Sequence, residues 1–288
     1  MRKISVIIPA YNSWKTLRSC IVSIEKQTLA PLEIVVVDNA SKDQTATKVE
    51  KFFPKVKLIR MKTNTGVTGG RNAGIFSASK KADYLFFFDH DMVADRSMLK
   101  NLVEVAEGSS EIGIVTPKIY YWEDKNRIWS AGTGMNLWTG QVLFRGGKDV
   151  GQYGRVEEVQ VAPAAMLVRM GTIKKIKKFD NRYFAVYEDT DFCFRAKRAG
   201  FKTFYAPGAV AYHKLSTAPQ DEAGRLLGRG YWVGRNRVLF MKDFGKNFMI
   251  FLLFLPLLSA YYLYTAVKYR NFAGGASFLR GTLAGLFG

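Results

Sequence analysis

The first hundred residues alternate between short apolar segments and amphipathic segments, and this alternation limits the possible folds most strongly. Four segments are apolar and rich in β-branched or aromatic residues, at 4–8, 33–37, 56–61 and 84–88. Segments with helical spacing of apolar residues or with helix-start signals follow them, at about 14–24, 43–53, 69–79 and 97–107. Four strand–helix alternations predict an α/β fold with a mostly parallel sheet and right-handed crossovers.

The fourth apolar segment, Tyr84–Phe88, ends abruptly in carboxylates at Asp89-His90-Asp91. A continuous apolar run of this kind is typical of a strand buried on both faces. Ligands of open α/β sheets bind beyond the carboxyl ends of such strands. Two carboxylates one residue apart can face a hard divalent cation and the phosphates that it carries. The alternative is that the triplet only caps the next helix, because Asp is a common turn and cap residue.

Composition narrows the class of protein without choosing a function. The 288 residues can bury one large core with a small additional region. The chain has 43 Lys and Arg against 24 Asp and Glu, and this charge of +19 favours nucleic acid, an anionic membrane or a polyanionic substrate. Cys20 and Cys193 are far apart, so we expect neither a disulfide framework nor a zinc site. We also expect no secretory leader, because the first residues lack its pattern.

The middle of the chain departs from the regular alternation. The aromatic stretch 119–144 contains glycines as turn signals and predicts hairpins or an irregular insert. After it we expect a buried strand at 159–168, a short basic helix at 171–177, a helix at 188–199 and short strands at 201–206 and 209–213. The helix at 188–199 begins with three acids, which suit the positive end of a helix.

Beyond about Gly224 the composition becomes basic and apolar, with nine Lys and Arg against one acid. Residues 247–267 carry no charge, and their length matches the roughly 20 apolar residues that cross a bilayer core. Three tyrosines near the end of this stretch suit a membrane interface. Pro256 would kink the helix, make it lie shallow in the membrane or make it re-enter. The alternative is a buried helix of a soluble protein.

Two further motifs of the first hundred residues suggest nucleotide binding. Asp38 ends the second strand, where a carboxylate can accept hydrogen bonds from a base or from ribose hydroxyls, although a strand-end Asp is often only a turn. Residues 66–74 place four glycines and Arg71 at a helix start, which allows close approach of a phosphate. Their spacing is neither that of a Rossmann fingerprint nor that of a P-loop, which weighs against nicotinamide and ATP-hydrolysing functions. The alternative is a tight loop.

A second cluster of acids lies at Glu188, Asp189 and Asp191. A carboxylate that faces a cleft at a helix start can take a proton from a hydroxyl nucleophile. The alternative is helix capping together with an i,i+4 pair between Asp191 and Arg195. His213 closes a strand soon afterwards and could complete a metal site through an imidazole nitrogen, or be structural.

In this order, the motifs resemble the family 2 inverting glycosyltransferases of the GT-A fold. The similarity runs from residue 4 to about 217 and continues more loosely to the end of the chain. Residues 5–12 resemble the opening strand of the family, Asp38 its nucleotide-base contact and residues 64–74 its donor-side glycine loop. The resemblance implies substrate contacts from Pro9, Tyr11, Asn12, Asp38, Asn64, Gly70, Arg71, Asp89, Glu188 and Arg195.

The resemblance also implies a metal and a base. Asp89-His90-Asp91 matches the D-x-D motif, in which Asp91 would bind Mg²⁺ or Mn²⁺ on the donor diphosphate while Asp89 lies nearer the nucleoside. Asp189 matches the catalytic base of the second acidic motif. His213 matches a late metal or diphosphate contact.

The most specific part of the resemblance lies between residues 179 and 213, and it indicates the branch that includes rhamnosyl- and galactofuranosyltransferases. The chain departs from that branch at Pro163-Ala164-Ala165, where Gly-Ala is usual, and this bears on the sugar pocket. His90 in the middle of the D-x-D motif is uncommon and bears on pH or metal choice.

We therefore expect a metal-dependent inverting glycosyltransferase with a GT-A domain at residues 1–220 and a C-terminal membrane-associated helical region at 221–288. Residues 1–115 would form the donor half and 116–220 the acceptor half. Its donor would be a nucleotide-diphosphate sugar. Its acceptor would be a lipid-linked glycan or polysaccharide at the cytoplasmic face of the cell membrane, and it would bind no nucleic acid.

Two other functions remain open from the sequence. A sugar nucleotidyltransferase would need a basic triphosphate loop near the start, where Pro9-Ala10-Tyr11-Asn12 stands. A non-catalytic basic protein that binds membranes or nucleic acid would leave the three acidic clusters unexplained.

Overall fold

The computed structural model describes residues 2–288, and these contain a mixed sheet of eleven strands and a short two-stranded hairpin. The strands are β1 (Ile4–Ala10), β2 (Glu33–Asp38), β3 (Lys57–Arg60), β4 (Tyr84–Phe88), β5 (Met92–Ala94), β6 (Ile112–Tyr121), β7 (Arg127–Ser130), β8 (Gly134–Met135), β9 (Val142–Leu143), β10 (Gly147–Lys148), β11 (Glu157–Val159), β12 (Ala165–Arg169) and β13 (Lys202–His213). The helices are α1 (Trp14–Glu25), α2 (Thr45–Phe52), α3 (Gly66–Ser77), α4 (Met98–Glu107), α5 (Met170–Ile176), α6 (Glu188–Arg198), α7 (Pro219–Gly228), α8 (Gly230–Phe244), α9 (Phe248–Lys268) and α10 (Phe272–Phe287).

The centre of the sheet is parallel, as the alternation of the first hundred residues predicts. The main path runs β3-β2-β1-β4-β12-β6-β7-β10, and the pairs among β1 to β4 are parallel. Strand β12, between β4 and β6, is antiparallel to both, and β7 and β10 extend the sheet beyond β6 through antiparallel pairs. The predicted α/β sheet is therefore confirmed, with an antiparallel insertion that joins the two halves.

Both faces of β1 and β4 are covered, which explains why these strands lack a polar alternation. Phe86 and Phe88 of β4 belong to the core that α1 and α4 cover, whereas Leu85 and Phe87 face the core of α3 and α6. Successive side chains of a strand point to opposite faces, so a strand with helices on both sides must be apolar throughout. This packing fixes the position of the carboxylates that follow β4.

Two of the expected strands have different boundaries. The segment expected as one strand at 159–168 forms β11 and β12 with an irregular link, because Pro163 lacks an amide hydrogen and Ala164 has a left-handed φ of +61°. The two strands expected at 201–213 form the single strand β13, whose register against β6 shifts between Ala206 and Val210. Both irregularities occur near Pro residues, where the hydrogen-bond ladder loses a donor.

Four helices follow residue 218, in the region where the sequence predicts one apolar helix. That helix is α9, and the side chain of Asn247 caps it by accepting a hydrogen bond from the N–H of Ile250 at 3.1 Å. Within residues 2–288, α9 alone is long and apolar enough to cross a membrane, with a mean hydropathy of 1.9. Helix α10 packs along α8 through glycines: a Cβ on Gly234 would lie 2.5 Å from the carbonyl oxygen of Phe278.

Candidate active site

A cavity of about 680 Å³ opens at the carboxyl edge of the sheet, beyond β1 and β4. Parallel strands that end at one edge bring their following loops together, which is where α/β folds bind ligands. Helices α7 and α8 close one side of the cavity with Arg225, Leu226, Arg229 and Val233. Eight of the residues that the sequence nominates line this cavity, namely Pro9, Tyr11, Asn64, Asp89, Asp91, Glu188, Asp189 and His213.

Arg71, in the middle of α3 rather than at the helix start that the sequence predicts, joins the two acidic motifs from beneath the cavity. Its guanidinium is fully buried, donates to Asp89 at 2.9 Å, is ion-paired with Asp189 and lies 3.6 Å from Glu188. Burial lowers the pKa of Arg71, but the three carboxylates outweigh it and raise that pKa, so the group stays charged. The single guanidinium of Arg71 thus holds together two carboxylates that are a hundred residues apart in sequence, Asp89 after β4 and Asp189 in the first turn of α6.

The environment of Glu188 and Asp189 favours proton binding. Burial first, and then the charge of Asp189, raise the pKa of Glu188 to about 8. Burial also raises the pKa of Asp189, although the charge of Arg71 opposes the change. A carboxylate with a pKa raised toward neutrality is suited to accept a proton from a substrate hydroxyl.

The backbone around Asp189 is unusual and directs the carboxylate to the cavity. The N–H of Ala164 donates to Asp189 at 3.0 Å, and this residue has the left-handed φ noted above. Val186 and Tyr187 also have left-handed φ values of +66° and +73°, and α6 begins directly after them. Left-handed conformations of non-glycine residues cluster at functional sites.

Asp91 and His213 form the candidate metal site. The Oδ1 of Asp91 lies 3.2 Å from the Nε2 of His213, and the ring of Trp129 packs edge-on against that imidazole. Burial alone would raise the pKa of Asp91, but the hydrogen bond and charge of His213 lower it to about 2. Within residues 2–288 no group of three or more His, Cys, Asp or Glu side chains could hold a metal. A carboxylate oxygen and an imidazole nitrogen this close are the ligand types that a divalent cation such as Mn²⁺ accepts, so Asp91 and His213 would fit as its two protein ligands.

Asp38, Asn12 and Gly70 lie beside the cavity without lining it. Asp38 is buried at the end of β2, where one carboxylate oxygen accepts from the N–H of Ser41 at 3.3 Å and the other has no partner. The side chain of Asn12 accepts from the N–H of Lys42 at 2.8 Å and so shapes the loop after β1. Gly70 lets α3 approach β1, because a Cβ there would lie 3.0 Å from the Cβ of Pro9.

Arg195 points away from the cavity. Its guanidinium pairs with Asp191 at 2.8 Å and donates to the carbonyl of Ile176 at 3.2 Å. Asp191 and Arg195 therefore form the i,i+4 ion pair that the sequence offered as the alternative. The geometry gives no support to a direct substrate contact by Arg195.

Several residues of the site carry no strong sequence signal. The glycines expected as a loop lie in α3, and Asn39 holds the start of that helix: its side chain donates to the carbonyl of Gly66 at 2.7 Å and accepts from the N–H of Thr65 at 3.0 Å. Its position next to Asp38 was the only clue to this role. Trp129 lies 38 residues after Asp91, and Arg225 and Arg229 lie 34 and 38 residues after Asp191, so spacing could not assign them to the site.

Comparisons with known proteins agree on one family. A family model described as glycosyl transferase family 2 matches residues 5–176. The glycosyltransferase YfnE of Bacillus subtilis is 35% identical over 129 residues, which are 42% of this chain and 32% of that protein. The O-antigen chain rhamnosyltransferase RfbN of Salmonella typhimurium is 23% identical over 229 residues, 79% of this chain and 71% of that protein. The chain spans about a third of the length of the first curated relatives that it matches.

Two solved structures share the fold at low sequence identity. The structure of residues 1–349 of S. aureus TarS in complex with UDP has a TM-score of 0.55 and 22% identity, and covers 88% of this chain and 70% of its own. The structure of GalNAc-T7 with UDP, GalNAc and Mn²⁺ has a TM-score of 0.59 and 15% identity, and covers 83% of this chain and 51% of its own. At these identities the likeness establishes the fold alone.

Proposed function

Because the chain belongs to glycosyl transferase family 2 and has the GT-A fold, we propose that it transfers a sugar from a nucleotide-diphosphate donor to an acceptor hydroxyl with inversion. One observation carries the proposal. Arg71 ties Asp89 of the first acidic motif to Asp189 of the second at the floor of one cavity. A metal-and-donor motif and a candidate base thus face the same space, as transfer between two bound substrates requires.

The donor would lie along the carboxyl edge of the sheet, with its base near Asp38. The unpartnered buried oxygen of Asp38 supports this assignment, because such an atom is costly unless a ligand donates to it. Tyr11 and Asn64 line the adjoining wall. The related fold of TarS was solved with UDP, which makes nucleoside diphosphates the appropriate probes.

Asp91 and His213 would hold Mg²⁺ or Mn²⁺ on the donor diphosphate. The cation would offset the negative charge that develops on the leaving diphosphate. A set of metal ligands that includes one imidazole nitrogen favours Mn²⁺, since Mg²⁺ prefers oxygen ligands alone. GalNAc-T7, which was solved with Mn²⁺, supports metal dependence for this kind of fold.

Asp189 would act as the general base. Its carboxylate takes the proton of the acceptor hydroxyl, and the oxygen forms a bond to the anomeric carbon from the side opposite the diphosphate. The bond between that carbon and the diphosphate oxygen breaks at the same time, which inverts the configuration. Glu188, with a pKa raised to about 8, keeps a proton near neutrality and so leaves Asp189 as the ionised partner.

The acceptor would be a lipid-linked glycan or polysaccharide at the cytoplasmic face of the membrane. Helix α9 exposes Leu253 and Leu257, at 79% and 69% of their surface, while Phe251 and Leu255 pack into the protein. A helix held to its own domain along one face is suited to lie in the interface rather than to cross it. Lysines and arginines near both ends of α9 suit anionic headgroups. The relative RfbN, an O-antigen chain enzyme by name, supports an envelope glycan.

Calorimetric titration with nucleoside diphosphates tests the donor and metal assignment. We expect UDP, GDP or dTDP to bind in the presence of Mn²⁺ and binding to be lost in Asp91→Ala, because that variant removes an oxygen ligand of the cation. Asp124→Ala, which changes an exposed aspartate outside the cavity, serves as the matched control. Unchanged metal-dependent binding in Asp91→Ala would refute the metal site. Release of pyrophosphate from a nucleoside triphosphate and a sugar phosphate would instead favour the nucleotidyltransferase.

A further inference from the structure

Two arginines form a basic patch on the cavity wall that the C-terminal helices supply. Arg225 lies on α7 and donates to the carbonyl of Ser216 at 2.8 Å, and Arg229 follows the end of α7. Within residues 2–288 no carboxylate lies within 4 Å of either guanidinium, although both line the cavity. The carboxylate nearest in sequence, Glu222, lies 3.7 Å from Arg127. The patch is therefore available for an anion.

Apolar side chains adjoin this patch, and the helix packed behind α7 exposes further apolar residues. Leu226 and Val233 line the same wall of the cavity. On the opposite face of α7, Leu227 packs against Gly274 of α10, whose own outer residues, such as Leu283, are exposed. A ligand with a phosphate beside an apolar chain would match both the charge and the apolar surface.

We propose that Arg225 and Arg229 bind the phosphate group of a lipid-linked acceptor. This proposal rests on the proposed function and specifies its acceptor. Guanidinium groups bind phosphate through paired, charge-assisted hydrogen bonds, and in residues 2–288 no carboxylate within 4 Å already pairs with these two. Arg225 and Arg229 come from a different part of the chain than Asp91 and His213, so acceptor and donor phosphates would be held by different groups.

Binding of farnesyl diphosphate in detergent, with uncharged farnesol as the comparison, tests this site. We expect Arg225→Gln and Arg229→Gln each to weaken farnesyl diphosphate binding about tenfold or more, since hydrogen bonds to charged groups are strong. Farnesol binding should not change. Arg280→Gln removes an exposed arginine outside the cavity and is the matched control.

The same variants are titrated with UDP, GDP and dTDP in Mn²⁺. Retained nucleotide binding with lost farnesyl diphosphate binding supports the acceptor site. Wild-type farnesyl diphosphate binding in both variants would overturn it, and so would a loss of nucleotide binding, which would assign the arginines to the donor. A wild-type protein that binds no nucleoside diphosphate would instead contradict the proposed function itself.

The segment that precedes Glu188 and Asp189 has an unfavourable backbone conformation. Residues 182–187 end in Val186 and Tyr187, both with left-handed φ, which is unfavourable for a β-branched residue such as Val. Such a conformation persists only where neighbouring structure imposes it. The next residues are Glu188 and Asp189, so the direction of the proposed base depends on this segment.

Helix α8 holds the segment through three consecutive residues. The fully buried side chain of Asn236 donates from Nδ2 to the carbonyls of Ala185 and Val186, both at 2.8 Å. Arg235 donates to the carbonyl of Arg182 at 2.8 Å, and Arg237 donates to the hydroxyl of Tyr187 at 3.2 Å. We infer that Asn236 is a positioning residue, which keeps the left-handed conformation and thereby directs Asp189 into the cavity.

Steady-state kinetics of Asn236→Ala, alone and with Val186→Gly, test this inference. We expect Asn236→Ala to lower kcat about tenfold or more with little change in the KM for the donor, because the base is misdirected while the donor site is intact. Glycine adopts positive φ without the steric cost of a Cβ, so Val186→Gly should restore part of the lost kcat. Val238→Ala removes a buried apolar side chain of the same helix and leaves the hydrogen bonds from Arg235, Asn236 and Arg237 to the segment in place.

A merely structural role gives a different pattern. Asn236→Ala and Val238→Ala would then both lower the melting temperature and leave kcat per folded enzyme unchanged, which would overturn the inference. Failure of Val186→Gly to raise kcat in the Asn236→Ala background would do the same. A restored kcat without restored melting temperature would be the clearest support.

Discussion

At the scale of single residues, the contacts of Asp189 separate its proposed chemistry from a capping role. No side-chain cap hydrogen bond is formed at the start of α6, and the carboxylate instead meets Arg71 and the N–H of Ala164. Asp189→Asn should therefore lower single-turnover rates about 10²- to 10⁴-fold, the usual contribution of a general base. This corresponds to a barrier increase of roughly 3 to 5 kcal/mol.

The matched control for that variant is Asp191→Asn, in the same helical turn but paired with Arg195 outside the cavity. We expect Asp191→Asn to keep its turnover, and both variants to lose some thermal stability because each breaks a buried ion pair. Rates are compared at saturating donor, below the melting temperature of each variant. Equal turnover in the two variants would remove Asp189 as the base and direct attention to Glu188.

The raised pKa of Glu188 predicts how stability depends on pH. In the folded protein this pKa is about 8, against an ordinary value of 4.5, so between these values the folded state holds a proton that the unfolded state releases. The free energy of unfolding should therefore fall as pH rises toward 8. The pKa of Asp191 is raised only to about 6, so the window from pH 6.5 to 8 reports mainly on Glu188 and its neighbour Asp189.

Urea unfolding at pH 6.5, 7.25 and 8 measures this slope. We expect Glu188→Gln to flatten it, because the amide has no proton to release. Glu104→Gln, at an exposed position on α4, should retain the wild-type slope. A slope that survives in Glu188→Gln would mean that another group is responsible.

At the scale of secondary-structure elements, the contact between α8 and α10 depends on glycine. A Cβ on Gly281 would collide with the carbonyl oxygen of Tyr231, so the two backbones approach more closely than a side chain allows. Gly281→Ala should force the helices apart and destabilise the fold by about 1–3 kcal/mol. Because α8 also carries Asn236, kcat should fall as well.

Gly224→Ala provides the matched control, since a Cβ at this position of α7 meets no atom within 4 Å. That change should be neutral or slightly stabilising, because alanine favours a helix by roughly 0.5–1 kcal/mol over glycine. Chemical unfolding curves in detergent compare the two variants. Equal stability of Gly281→Ala and wild type would mean that α10 can move away from α8 without cost.

At the scale of the whole molecule, the exposed apolar side chains of α9 predict attachment to membranes. Leu253 and Leu257 are largely exposed, and burial of a leucine contributes about 1.5–3 kcal/mol. Leu253→Glu should therefore lower binding to anionic vesicles roughly tenfold or more, without unfolding the protein. Deletion of the helix would be a poorer test, because Phe251 and Leu255 belong to the core.

Leu32→Glu, which changes an exposed leucine next to β2, is the control for added charge and should bind vesicles as the wild type does. Vesicle sedimentation at low and high salt separates apolar from electrostatic binding. Undiminished sedimentation of Leu253→Glu would exclude the outer face of α9 as the attachment surface.

The arrangement of the sheet followed from local pattern. Buried parallel strands need apolar residues on both faces, so the apolar runs of β1 and β4 predicted that both strands are covered on both sides. Asp38 and Asp89 follow such runs and predicted the sheet edge at which ligands bind. The burial of a strand and the position of its end depend on residues that are neighbours in sequence, so both could be predicted from the sequence. The apolar composition of α9 likewise predicted a helix, although its glycine-rich partner α10 has low intrinsic helix propensity and was not foreseen.

The site itself depended on contacts between distant parts of the chain. Nothing in the spacing of Arg71, Asp89 and Asp189 reveals that one buried guanidinium joins both acidic motifs, and nothing near Arg195 reveals that it turns away from the cavity. The strained residues before α6 and the asparagine that holds them lie about fifty residues apart. Local sequence determined which strands and helices form and which of them are followed by carboxylates. Tertiary packing alone decided which charged side chains are buried next to each other, because the distances between them are set only in the folded chain.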